Sequence, residues 1–226
     1  MPAPTFIEKA TAAVSTTANI SMAYAGFTDI QAGDWLFAAL LSYQEPGGSI
    51  GDITPDDPDW QEIGGGIGFR DSNPTNVGSF KVFRKIATGL ESGSADFTRS
   101  GSNGGSNAFY GQMYQFRGTS LALIGSATNI LGDGNATITW GNVTVVGPET
   151  TAIAFVGQIT DDPGTPAGYN NDASDASGGV VLYLECNSEE NTSGGIATAS
   201  GVAADGWATV HVTIFNATGY SFIPDH

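Results

Sequence analysis

Basic residues are scarce in this 226-residue chain: seven Lys and Arg face 23 Asp and Glu, for a formal charge of −16. Gripping nucleic acid by its phosphates takes clustered cations, so DNA and RNA are excluded as partners of that kind. An anionic membrane surface is disfavoured on the same ground. The scarcity is lopsided. All seven cations (Lys9, Arg70, Lys81, Arg84, Lys85, Arg99, Arg117) precede residue 118, and the rest of the chain carries 11 acidic groups and no Lys or Arg. Cys186 is the only cysteine, so no intramolecular disulfide forms. With one cysteine and two histidines, His211 and His226, a zinc site of Cys and His is out of reach. The longest nearly apolar run, around residues 35–41, is far too short to cross a bilayer as a helix. The opening residues MPAPTFIEKATAAV lack the basic and apolar regions of a secretory signal, so synthesis and folding in a cytoplasm are expected.

Glycine is plentiful, with 32 residues, about twice its usual share. Ser, Thr and Asn are common and Lys and Glu are few, a balance that disfavours helix interiors. Apolar residues still make up 40% of the chain, enough for a core. Alternating or continuous apolar patterns predict about a dozen strands. They fall at 5–9, 18–24, 35–42, 79–86, 108–117, 122–126, 136–140, 143–146, 151–159, 180–186, 196–200 and 207–215. Two long Pro/Gly/Asp-rich stretches, 44–66 and 158–178, read as loops, and loops of that length are commonly engaged in function. The expected fold is an all-β, antiparallel, jelly-roll-like sandwich in a single domain spanning 1–226.

An internal echo runs through this pattern. Residues 33–118 and 149–217 each pass through an apolar strand, a Pro/Asp loop with an aromatic (Trp60, Tyr169), an alternating strand, a polar hairpin and a closing strand. One reading is a duplicated four-strand unit whose two copies interlock; the other is the ordinary recurrence of any β-sandwich. Predicted core residues are Trp35, Phe37, Leu40, Phe80, Val82, Ile153, Phe155, Val181 and Leu182, with Trp140 and Trp207 in similar apolar strands.

The first half contains Gly33-Asp34 before an apolar strand, then Trp60, Lys85-Ile86-Ala87, Phe97-Thr98 and Phe116-Arg117-Gly118. In that order these residues resemble a recurring β-sandwich module of tailed-bacteriophage virion proteins, well over about 30–118 and in degenerate form over 149–217. The module's Pro-Gly-Trp reads Pro58-Asp59-Trp60 here. The resemblance implies a virion surface role, as a head decoration protein or a tail or fibre module. The expected partners are major capsid or tail proteins and further copies of the chain, with no nucleic acid and no membrane insertion.

Site chemistry points the same way. No G-x-S-x-G elbow accompanies His211, which alternates with Val210 and Val212 inside a strand. Asp56, Asp57, Asp59 and Glu62 surround Trp60 and offer a glycosidase its paired carboxylates, but acid clusters in Pro-rich loops of so acidic a chain read as solvated turns. Asp52, Asp56, Asp57 and Asp59, and Asp161, Asp162, Asn170, Asn171, Asp172 and Asp175, offer calcium hard oxygen ligands on loops. Neither set has a closed loop pattern, so no cofactor is expected. Five Asn-x-Ser/Thr sequons, at Asn19, Asn135, Asn142, Asn191 and Asn216, read as polar strand ends. The expectation is a non-enzymatic virion protein, with a carbohydrate-binding adhesin module or lectin-like domain as the alternative. Lys81, Phe83 and Lys85 share one strand face as a candidate partner-binding stripe, and Trp60 and Tyr169 are the loop aromatics for a glycan or partner.

Overall fold

The computed structural model describes residues 2–44, 51–70, 77–100, 107–118, 121–131, 137–143, 149–159, 164–176, 182–190, 198–200 and 206–216. Val181, Asp161, Asp162, Asn135, Asn191 and His226 lie outside them. Among the described residues the regular elements are strands, apart from one 3-10 turn at Tyr24–Gly26. The first half supplies β1 (Thr5–Lys9), β2 (Ala13–Ser15), β3 (Asn19–Ala23), β4 (Trp35–Gln44), β5 (Ile53–Pro55), β6 (Gln61–Arg70), β7 (Val77–Ile86), β8 (Ser94–Arg99) and β9 (Asn107–Arg117). The second half supplies β10 (Leu121–Leu131), β11 (Thr137–Thr139), β12 (Thr150–Ile159), β13 (Asn170–Ala176), β14 (Leu182–Glu190), β15 (Thr198–Ser200) and β16 (Trp207–Asn216).

Each half makes one large antiparallel sheet in the same spatial order: β1-β9-β4-β7-β6 in the first, β10-β16-β12-β14-β13 in the second. Each large sheet carries a small one, β3-β8-β5 over the first and β11-β15 over the second. The result is four layers, with the two large sheets in the middle. The expected interlocking of two repeats is therefore corrected. Among the described residues every strand pair joins strands of one half, and the two large sheets meet face to face through their side chains.

Period-two alternation explains the layering. On β4, Trp35, Phe37, Ala39, Leu41 and Tyr43 face the second sheet, where they meet Ile153 and Phe155 of β12 and Val210, Val212 and Ile214 of β16. The intervening Leu36, Ala38 and Leu40 point the other way, into a separate cluster under β3-β8-β5 with Phe83, Phe97, Phe109 and Met113. Leu40 is thus a core residue, but of a different core from Trp35, Phe37, Phe80, Val82, Ile153 and Phe155, while Trp140 and Trp207 belong to a third. Leu182 opens β14. At the sheet-to-sheet contact, Gly157 leaves room for a ring: a Cβ there would lie 2.5 Å from Cδ2 of Phe80.

Strands also occupy predicted loops. β6 and β13 run through the two Pro/Asp stretches, and β8 through the predicted polar hairpin. β6 contains Gly64-Gly65-Gly66 and β13 reads NNDASDA, compositions with low strand propensity. Both are edge strands, where one neighbour suffices and such residues are tolerated.

Candidate functional site

Gly33, Asp34, Ala87 and Arg117 converge on one frame in the first half. Asp34, just ahead of β4, is buried and takes a two-pronged grip from Arg117 at the end of β9: Nε to Oδ1 and Nη2 to Oδ2, both 2.8 Å. Gln115 Nε2 and the backbone N–H of Gln31 also donate to Oδ2. Burial pushes the Asp34 carboxyl up, but these donors outweigh it and hold the group below the usual carboxylate range. The main chain ties in Ala87, which donates to the Asp34 carbonyl and accepts from the N–H of Gly33, both at 2.8 Å.

Trp60 departs from expectation. It is only 3% exposed and sits edge-on against Phe97, 5.5 Å between centroids, and Phe83 also meets Phe97, at 5.3 Å. A Trp in this position is a core residue of the first half and offers no open platform to a sugar. The Lys81–Phe83–Lys85 stripe is corrected for the same reason, since the chain covers it. Lys81 Nζ pairs with Asp52 and with Glu62 (2.7 Å), and Lys85 Nζ pairs with Asp57 at 2.8 Å. Burial lowers both lysines, but the facing carboxylates reverse the shift and leave them raised. The hydrogen bond from Lys85 in turn holds Asp57 below its usual range. Asp52, Asp57 and Glu62, candidate calcium or catalytic carboxylates by sequence, thus serve as counter-ions. Among the described residues no group of three or more His, Cys, Asp or Glu is placed to hold a metal. Large apolar side chains that do face solvent there are Ile7, Val14, Ile86 and Leu90, the last 85% exposed.

The second half holds the less expected chemistry. Tyr169 is half-buried, and its hydroxyl lies 2.6 Å from Nε2 of His211 on β16. Nδ1 of that ring is 2.7 Å from the Gly141 carbonyl, which can only accept. The proton therefore sits on Nδ1, and neutral Nε2 accepts from the tyrosine. Burial holds His211 below its ordinary value, against the Gly141 hydrogen bond and the charge of Glu189, and burial together with Glu189 raises Tyr169. Beside His211 on the same face of the sheet lie Thr209, Thr213, Gln158, Glu185 and Asn187, all fully buried. Alternation with Val210 and Val212 sets Thr209, His211 and Thr213 on one polar face of β16, and the small sheet β11-β15 and the segment carrying Tyr169 bury that face.

Asp172 sits at a bulge of β13, where the register slips between Asn171 and Ala173. Burial pushes its carboxyl up to about 6, helped by Glu190 and opposed by a hydrogen bond from Ser188. A carboxyl raised in the fold holds its proton more tightly there than in the unfolded chain. Stability therefore falls as pH rises from about 4 to beyond 6, and then levels. Asp172→Asn should remove that slope and stabilise the protein at pH 7 by about 1–2 kcal/mol, reduced from the full shift because the group keeps some solvent. Urea denaturation at pH 4.5 and 7.5 measures both quantities, and an unchanged slope would refute the assignment.

The fold and its ionic frame define an all-β protein of stacked antiparallel sheets. No family model, curated protein or solved structure matches the chain.

Proposed function

We propose that this chain is a non-enzymatic structural protein on the surface of a tailed-bacteriophage particle, acting as a capsid decoration and stabilising protein. The observation that supports this reading is where the resemblance-bearing residues lie. Gly33-Asp34, Ala87 and Arg117 form one clamp, Trp60 and Phe97 one aromatic stack, and Lys85 one ion pair, all engaged in holding strands together. A motif whose members serve the fold fits a scaffold module better than a reaction site. The partners in this reading are capsid or tail subunits and further copies of the chain, and the place is the virion surface. Strong acidity suits an outer surface kept apart from packaged DNA.

The test is sedimentation. In a lysate of cells producing the particle, the protein should band with intact virions in a density gradient and stay with DNA-filled heads after tails are removed. Recovery only in the soluble fraction, with capsid protein banding normally, would overturn the proposal. Recovery with tails would move the role to a tail or fibre module.

A further inference from the structure

We propose that the cavity beside Arg84, at the start of β6, is a binding site for a small zwitterion, a compound carrying a carboxylate, an ammonium group and an apolar portion. The inference goes beyond the particle role and does not depend on it.

Cations of the first half are mostly matched within the chain. Lys81 meets Asp52 and Glu62, Lys85 meets Asp57, and Arg117 meets Asp29 and Asp34. Arg84 and Arg99 meet no acid among the described residues, and Arg99 is closed in at 3% exposure. Arg84 instead lines a cavity of about 290 Å³ with Pro58, Asp59, Gln61, Lys85 and Ile86. That volume is close to the lower bound of small-molecule sites, about 300 Å³. Asp59 is exposed, and its carboxylate has no partner among the described residues. One cavity is thus lined by a cation without an acid and an acid without a cation, and the two do not pair with each other.

Both charges are held in place by the fold. The guanidinium carbon of Arg84 lies 4.6 Å from the centroid of the Trp35 ring, which is buried between the large sheets. Its Nη2 donates to Oε1 of Gln61 at 2.9 Å, the residue opposite Arg84 in the β6–β7 register. Nε and Nη1 make no hydrogen bond among the described residues and are not closed off from solvent. Asp59 sits in a short turn, where its own N–H donates to Oδ1 of Asp57 and the Trp60 N–H donates to the Asp57 carbonyl. Lys85 fixes Asp57, and buried Trp60 anchors the chain behind the turn. Charges fixed before a ligand arrives cost less to order when it binds.

This charge pattern selects the ligand class. Burial, with no acid to offset it, holds Arg84 below its ordinary value, so a carboxylate brought to it meets an uncompensated cation. A ligand with a carboxylate alone would meet Asp59 as a like charge, and one with an ammonium alone would meet Arg84 as one. A zwitterion answers both. Pro58 and Ile86, the latter 56% exposed, give its apolar portion a wall to lie on. α-Amino acids and longer ω-amino acids share this chemistry.

The probes are L-leucine, L-phenylalanine, 4-aminobutanoate and 6-aminohexanoate, titrated into the full chain with calorimetry and the Arg84 Nε–H resonance as readouts. At least one should bind: the first two mark an α-amino-acid site, the last two a site for charges set farther apart. The N-acetyl and amide derivatives of the compound that binds, each keeping one charge, should bind about tenfold more weakly. Asp59→Asn should weaken the zwitterion about fivefold and leave the N-acetyl derivative no weaker, since a like charge has gone. Arg84→Met, which keeps a stem over Trp35, should abolish binding of both. Should Arg84→Met fail to fold, Asp59→Asn carries the test, because the Asp59 side chain makes no bond in the fold. Silence of all four zwitterions overturns the proposal, as does an N-acetyl derivative that binds as tightly as its parent. Unchanged zwitterion binding by folded Asp59→Asn or Arg84→Met overturns it too. Virion sedimentation is scored separately, so either proposal can fail alone.

Discussion

Phe155→Ala should destabilise the protein by about 3–5 kcal/mol, the range for removing a large aromatic from a closed core. Phe155 is fully buried on β12 and touches the opposite sheet through two rings, Phe37 at 5.4 Å and Tyr114 at 5.7 Å between centroids. Phe37 in turn meets Phe116 edge-on at 5.6 Å. The substitution therefore opens a cavity at the seam between the halves, where neither sheet can shift inward without dragging its cover along. Equilibrium urea unfolding checks it. The midpoint should fall while the transition stays single, because the two halves share this cluster. Phe37→Ala combined with Phe155→Ala should show a coupling of about 0.5–3 kcal/mol. A loss below 1 kcal/mol for Phe155→Ala would mean that the large sheets do not pack through this face.

Arg117→Ala comes next, at about 3 kcal/mol near neutral pH, the low end for breaking a buried pair because Arg117 keeps partial solvent contact. Most of the loss comes from stranding the Asp34 carboxylate, which is 2% exposed. The pH dependence carries the sign. Asp34 is held below its ordinary value in the fold, so its contribution is complete at neutral pH and disappears as pH falls through that depressed value. Wild type and variant should accordingly converge on acidification. Arg117→Lys should recover only part of the loss, since an ammonium cannot make the two-pronged contact. A gap between wild type and Arg117→Ala that stays constant down to pH 2 would show that the pair is not the source.

The all-β class was legible from composition and from the alternation of β4, β7, β9, β12 and β16, whose apolar periods are long. The edge strands β6 and β13 were not legible, since Gly64-Gly65-Gly66 and NNDASDA carry turn residues and only their neighbours make them strands, whereas the opposite edges β1 and β10 were. Trp60 was misplaced because its flanking Pro and Asp residues describe its backbone and not its ring. Its partner Phe97 lies in SADFTR, where Ala95, Phe97 and Arg99 do alternate as a buried face, a signal short enough to pass for a hairpin. The polar layer around His211 was not legible. Alternation tells two faces apart, and it does not say whether the polar one is covered by another part of the chain.

Residues 2–4 reach across to the second sheet before β1 joins the first: Thr151 Oγ1 donates to the Pro4 carbonyl and Asn216 Nδ2 to the Pro2 carbonyl. The latter pair stands 214 positions apart in the chain. Contacts between such distant positions form late, after the loop they close has already been shortened by other structure. On the ribosome, the first half can pair its own strands while the second is still being made, but this clasp must wait for Asn216. Until then the aromatic face of β4 lies open to water and to neighbouring chains, which makes the interval before closure the period of greatest exposure to aggregation.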